Sequence, residues 1–345
     1  MSDLVEVVRA GGLIAEGRPL VVLYSGGRDS TCLLDLAVRI AGADRVRALH
    51  VEYGLRDAAV ADARHCEQTC ARLGVALTVH HPRHGQRDGN VQAWARRERY
   101  GAAAELAAEL GGPDAVGEGA GCEIATGHTA DDQAETILYR LASSPSRRAL
   151  LGMRERVTTC PGHLVTVRPL LGVTRRQTTE YCRERSLGYR DDESNDSDAY
   201  ARGRIRHELL PALERVHPAA VANLAAAAEV LAAEAAVLDE LVDAALAGEQ
   251  AGTVRLQVLR AQPPALRRLI VQRLADGAIG GPAAGVARRA EEVAALPARG
   301  TASLHLPRGV RATVRAGVVR FDRTPPVPPR TSLRPAADID CGSDE

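Results

Sequence analysis

The first two thirds of the chain alternates short apolar runs with longer stretches of helical period. Residues 20–24 form a five-residue apolar run, suited to a strand buried on both faces of a parallel sheet. From Thr31 to Ile40 the apolar positions take up a helical spacing. Residues 45–50, 75–80, 123–126 and 164–170 predict further strands, and residues 58–73, 91–110, 129–142 and 175–187 predict helices. This alternation argues for an α/β fold, a doubly wound, mostly parallel sheet, over residues 1–215. From Pro218 the pattern changes. Residues 219–247 predict a long alanine-rich amphipathic helix, followed by helices at 264–276 and 283–296 and a small hairpin over 303–321 around Gly309 and Gly317. A smaller, mainly helical C-terminal domain is therefore expected over 216–323, with a disordered Pro-rich tail at 324–345.

In doubly wound sheets ligands sit beyond the carboxyl ends of the strands. Three segments fall at such ends: Ser25-Gly26-Gly27-Arg28-Asp29-Ser30, the stretch from His50 to Arg56, and Gly127 to Asp132. In the first, two glycines let the backbone turn so that amide N–H groups face an anion at the positive end of the following helix. The Walker A spacing is absent, and so is its lysine, since the chain contains no lysine at all. An ordinary strand–turn–helix, with Asp29 or Ser30 as N-cap, is the plain alternative.

The predicted helix at 129–142 carries its acids on one side. At about 100° per residue, His128, Asp131, Asp132, Glu135 and Thr136 share a face. Ala134, Ile137, Leu138 and Leu141 share the opposite one, expected to pack on the sheet. Acids favour the first turn of any helix. Beside a phosphate loop they also suit Mg²⁺ binding and proton transfer. Further on, Arg202, Arg204 and Arg206 follow an acidic turn at 191–196. Arg202 and Arg206 lie one helical turn apart, placed either to share phosphates or to pair with those acids.

Composition changes little in this picture. The formal charge of the 345 residues is zero, with 44 basic and 44 acidic side chains, so no global field argues for nucleic acid. The basic residues are all arginine, which suits planar phosphate contacts. Aromatics at 3% make a base-stacking platform unlike this chain. Seven cysteines do not read as a secreted disulfide framework. Cys66 and Cys70, one turn apart, lack two further ligands for zinc, and His80, His81 and His84 read as a polar loop. With no leader pattern at the start and no unbroken apolar run near 18 residues, a cytoplasmic protein without a membrane partner is expected.

The Ser-Gly-Gly-x-Asp-Ser string resembles the PP-loop of the ATP pyrophosphatase superfamily. Other stretches narrow the resemblance over roughly residues 18–220: His50-Val51 with Gly54-Leu55-Arg56, Ala95-Arg96-Arg97 with Arg99-Tyr100, and His128 with Asp131-Asp132-Gln133-Ala134-Glu135-Thr136. Arg168-Pro169-Leu170-Leu171 follows, then Asp192 and Ser194-Asn195 through Tyr200, Arg202, Arg204, Ile205, Arg206, Leu210 and Pro211. Together they resemble the tRNA(Ile)-lysidine synthase family. The resemblance implies joining free L-lysine to C2 of the wobble cytidine of the CAU-anticodon isoleucine tRNA, with ATP and Mg²⁺. It implies ATP contacts at Ser25–Ser30, His50, Val51, Gly127 and His128, and metal at Asp29 and Asp131. Asp132, Asp131 and Glu135 take the catalytic roles, with Asp132 as base, Arg97, Arg202, Arg204 and Arg206 bind tRNA, and the mainly helical domain over 216–323 binds substrate or tRNA. A homodimer is left open. The chain departs from the family at Glu52-Tyr53, at Gly127, where members carry a histidine, and at residues 143–146, where they carry an Arg-Gly-x-Gly-like loop.

Two other readings compete. A tRNA thiolase of the same superfamily would use Cys66 and Cys70. A non-catalytic ATP-binding protein would keep the loop but would need neither the acidic helix nor the arginine stretch.

Overall fold

The structure is a computed structural model that describes residues 3–54, 59–82, 91–111, 121–143, 147–159, 164–190 and 201–324. Leu55-Arg56, His84, the acidic turn at 191–196 with Tyr200, most of the loops at 111–121 and 143–146, and the tail beyond Thr324 lie outside the described residues. The chain divides into two compact units, Met1–Glu234 and Ala235–Glu345, the divide falling inside the long alanine-rich helix.

In the first unit the sheet order is β3-β2-β1-β4-β6-β5. Here β1 is Leu20–Leu23, β2 Val46–Val51, β3 Ala76–His80, β4 Glu123–Ala125, β5 Arg156–Thr159 and β6 Leu164–Val167. All pairings are parallel except β5 with β6. The antiparallel edge strand β5 was not anticipated. Along β1 the side chains alternate between two cores, as strand geometry requires. Leu20 and Val22 join a cluster with Leu33, Leu36 and Tyr181, whereas Val21 and Leu23 join Ala103, Leu106 and Ile124. One face is thus covered by α2 (Arg28–Ala41) with α1 (Leu4–Ala10), α3 (Ala59–Leu73) and α7 (Arg175–Glu184). The other is covered by α4 (Val91–Gly111), and a short α6 (Arg147–Leu150) precedes β5. From central β1 the chain runs outward through β2 to β3, then returns to β4 on the opposite side. The crevice between the carboxyl ends of β1 and β4 is the topological switch point, where ligands of such sheets bind.

One expectation needs correcting. The apolar side of α5 (Ala130–Ser143) does not simply pack on the sheet. Ala130, Ala134 and Leu138 pack against Ile205, Leu210, Val221 and Leu224, while Leu141 is exposed. Those partners come from α8 (Ala201–Arg204), a π-helical turn at Ile205–Leu209, α9 (Leu210–Val216) and α10 (Ala220–Leu246). A helical wheel assigns residues to sides but cannot name what covers each side.

Helix α10 is the one described helix long and apolar enough, by length and composition, to cross a membrane. Its apolarity is mostly alanine and is interrupted by Glu229 and Glu234, so no unbroken run exists. Val221, Ala228, Ala235 and Val242, seven residues apart, form a buried stripe along it.

The second unit carries α11 (Leu256–Ala261), α12 (Pro264–Ile279) and α13 (Ala290–Ala295). Where the sequence suggested one hairpin, four antiparallel strands form a sheet of order β7-β10-β9-β8. They are β7 Thr253–Arg255, β8 Thr301–Leu306, β9 Val310–Arg315 and β10 Val318–Arg323. Val254, Val314, Val319 and Phe321 point to one side, into a core with Ile270, Leu274 and Val293.

Candidate active site

The loop after β1 is closed on itself by two hydroxyls. Ser30 Oγ donates to the Gly27 carbonyl (2.9 Å) and accepts from the Ser25 amide (3.3 Å), while Ser25 Oγ lies 3.0 Å from Ser30 Oγ. Ser25 Oγ in turn accepts from the Gly27 amide at 3.3 Å. Gly26 sits at φ +81°, and a Cβ there would stand 3.0 Å from Cys66 Sγ, so only glycine fits. Gly27 is the N-cap of α2, and no side chain caps this helix. Its first-turn amides therefore face the crevice as donors for an anion.

The neighbouring strand ends brace this loop. His50, 6% exposed, donates from Nδ1 to the Tyr24 carbonyl at 3.0 Å. Val51 is half-buried and packs with the α4-side core. Gly127 follows β4, and a Cβ on it would come within 3.1 Å of the Asp29 carbonyl group and the Ser30 amide. The two backbones are in contact there, so a side chain at this position cannot be accommodated without a shift. His128 Nδ1 lies 2.8 Å from Thr126 Oγ1. Burial pushes the His128 imidazole down to about 4, opposed by Asp132 and reinforced by Arg168, Arg96 and Arg99, so it is neutral at neutral pH.

The acids of α5 all have partners. Asp131 accepts the Arg175 amide at the start of α7 (2.7 Å). Asp132 Oδ2 accepts the Thr129 amide (2.8 Å) and hydroxyl (3.0 Å), the reciprocal half of a capping box. Its Oδ1 faces Arg175 at 3.7 Å and Arg206 at 3.8 Å. Glu135, 3% exposed, holds Arg206 through two hydrogen bonds of 2.6 and 3.0 Å, with Arg175 at 3.6 Å. Asp29 joins the same corner, since its Oδ1 accepts from Thr178 Oγ1 (2.5 Å) and Arg28 Nε (3.2 Å).

The arginines divide. Arg97, Arg202 and Arg204 are exposed. Arg206 is instead drawn in from the π-helical turn onto Glu135, a partner neither sequence-based alternative named.

Several residues were missed. Arg175 and Thr178 tie α7 to the acids without any sequence signal. Gln133 clamps the Met153 backbone with both ends of its amide, at 3.0 and 2.6 Å, and only its place inside the acidic motif hinted at it. Tyr53 donates to the Ala95 carbonyl (3.0 Å) and accepts from Arg99 (3.2 Å), so it steadies Arg99 on α4.

Cys66 and Cys70 lie buried, and burial pushes their thiols up to about 12 and about 11. Both stay protonated at neutral pH, away from the thiolate form that sulfur transfer uses. Among the described residues no three His, Cys, Asp or Glu side chains gather as a metal cluster. His80 and His81 face Glu98 and Glu52 instead.

Comparison with known proteins agrees with this geometry. A PP-loop domain family matches residues 4–213, and ATP binding follows from it. The tRNA(Ile)-lysidine synthase of Symbiobacterium thermophilum is 36% identical over 346 residues, covering 93% of this chain and 68% of the relative. That of Salinispora arenicola is 34% identical over 94% of this chain and 96% of its own length. Against the longer Pseudomonas syringae relative the chain, 37% identical, spans about half the length, 49%. Among solved structures, the U34-tRNA thiolase NcsA from Methanococcus maripaludis superposes with a TM-score of 0.54 at 16% identity, covering 66% of this chain and 78% of that one. That likeness concerns the fold alone. The chain belongs to the tRNA(Ile)-lysidine synthase family of PP-loop enzymes.

Proposed function

We propose that the chain uses ATP to join free L-lysine to C2 of the wobble cytidine of the CAU-anticodon isoleucine tRNA. The observation that carries this reading is one crevice holding both an uncapped helix N-terminus after Ser25–Ser30 and the acid pair Asp132 and Glu135. The first suits triphosphate, the second a cationic amine. The cytidine C2 oxygen attacks the α-phosphate and pyrophosphate leaves, its charge met by the amides of α2. The lysine ε-amine then attacks C2 and AMP departs, with the amine proton passing to Asp132 Oδ1. Oδ2 stays committed to Thr129, which fixes the carboxylate's orientation. In this reading tRNA draws Arg206 off Glu135, which is then freed to hold the amine. Neutral His128 lines the pocket without adding positive charge near the attacking amine.

Mg²⁺ fits the corner. It is commonly held by one or two carboxylates plus substrate phosphates rather than by a full protein cage. Asp29 and Asp131, both leaning on the first turn of α7, each direct a single oxygen at that turn. They would hold the ion, which when bound offsets the phosphate charge.

The test is incubation of the tRNA with ATP, Mg²⁺ and labelled lysine, with the anticodon loop read by mass spectrometry. Asp132→Asn keeps an oxygen for the Thr129 cap but removes the basicity. It should still bind tRNA in a gel shift and lose lysine incorporation by roughly 10²-fold. Near-normal incorporation would leave Asp132 as a helix cap alone. In the same assay Cys66→Ser with Cys70→Ser should keep most activity, and sulfur incorporation lost with the thiols would restore the thiolase reading.

A further inference from the structure

The second unit is not neutral like the whole chain. Over Ala235–Glu345 it holds 15 arginines against 12 acids, and the excess lies within residues 235–324, with 13 against 8. Three arginines on the helical segments of this unit are paired with acids: Arg267 with Glu291, Arg273 with Asp239 and Asp243, and Arg289 with Glu292. On the sheet Arg255 of β7 is paired too, with Glu249, whereas, among the described residues, Arg311, Arg315 and Arg320 of β9 and β10 are not. Strand register places Arg320 directly across from Thr313, with Arg311 and Arg315 on its diagonals, roughly 7–8 Å away. All three lie on the face opposite the core, because the alternate residues Ala312, Val314, Val319 and Phe321 are buried. None of the three forms an ion pair among the described residues, and the Arg311 Nε is without a hydrogen-bond partner. Thr313 and Ser303, hydroxyl to hydroxyl at 3.1 Å, and exposed His305 continue the face. Asp322, in register with Arg311, is its one acid among β8, β9 and β10.

We propose that this open sheet face binds the sugar–phosphate backbone of RNA through Arg311, Arg315 and Arg320. Unpaired guanidinium groups are forks for phosphate oxygens, and the hydroxyls between them suit phosphate and ribose contacts. No Phe, Tyr or Trp lies among the outward residues of β8, β9 and β10 and His305 is the one ring there, so no stacking platform exists and the contact reads shape and charge rather than sequence. This rests on the proposed tRNA substrate and adds where, outside the crevice, that substrate is gripped.

The probe is an unmodified transcript of the CAU-anticodon isoleucine tRNA, bound to the full chain across a salt series. The variant combines Arg311→Gln, Arg315→Gln and Arg320→Gln, and its partner variant carries lysine at the same positions. The glutamine variant should bind ten- to a hundredfold more weakly near 0.1 M salt, with a salt slope lower by about two to three. The lysine variant should recover most of the affinity, which a folding defect would not allow. Unchanged affinity and slope in the glutamine variant would overturn the proposal, as would a lysine variant equally weak. Failure of the parent protein itself to bind the transcript would instead overturn the substrate assignment.

Discussion

Two sides of one crevice handle charge in opposite ways. On the loop side, the N-terminus of α2 has no side-chain cap and its approach is made of glycine. On the acid side, α7 has a complete Thr174–Gln177 capping box with Asp131 on its first amide. There α5 is capped by Thr129 and Asp132, and Glu135 is locked to Arg206. Three helices begin here, and only one offers its dipole unspent. The side that is satisfied is preorganised. The side that is left open is where an anion is expected.

The sharpest way to break this contrast is to unpair the satisfied side. Arg206→Ala leaves the carboxylate of Glu135 buried, with Arg175 3.6 Å away as its remaining cation. Removing one partner of a buried pair commonly costs about 3 kcal/mol or more. A denaturant titration should show a loss of that order, whereas Arg202→Ala, at an exposed position, should change stability little. Equal stabilities would mean that Glu135 is solvated and the closed side is not closed.

His128 stands between the two sides. Its native value of about 4 lies below the ordinary value near 6.5. As pH falls from 6.5 toward 4 the unfolded chain therefore takes the proton first, and stability is lost through that window; above it the contribution is constant. Measured against a His128→Gln variant, the parent should lose on the order of 2 kcal/mol more between pH 7 and pH 4.5. Parallel pH profiles would show that the imidazole is not held neutral.

On the loop side, Gly127→Ala drives a Cβ to 3.1 Å from three backbone atoms of Asp29 and Ser30. Backbone cannot swing aside as a side chain can, so a cost of about 1–2 kcal/mol is expected. The displaced first turn of α2 should also raise the KM for ATP in pyrophosphate exchange. An unshifted KM would separate this contact from nucleotide binding.

How much of this was legible follows from what each signal encodes. The strand–loop–helix at Ser25–Ser30 is local, and its glycines and hydroxyls name their own geometry. The parallel sheet was legible because alternation of element types constrains topology. Glu135 and Arg206 are 71 residues apart, and Asp29 and Thr178 are 149 apart, so nothing local announces either pair. The apolar side of α5 was readable as a side, but its partners Ile205, Leu210 and Val221 come from later helices. In the second unit, β7 has three residues and is a strand only because β10 offers it a ladder. Tertiary pairing, not propensity, makes that element.

The smallest expected effect is the control for the whole comparison. Thr174 Oγ1 accepts the Gln177 amide at 3.3 Å while Gln177 Oε1 accepts the Thr174 amide at 2.8 Å. Thr174→Ala removes one of these bonds, and loss of such a cap costs about 1 kcal/mol. Because Asp131 still accepts the first amide of α7, the helix start stays in place and the acids keep their geometry. Stability should therefore fall by about that amount while the ATP dependence of pyrophosphate exchange stays the same. If instead ATP binding weakens as much as it does in Gly127→Ala, the capped side also contributes to the anion site. The division between a spent and an unspent helix terminus would then be wrong.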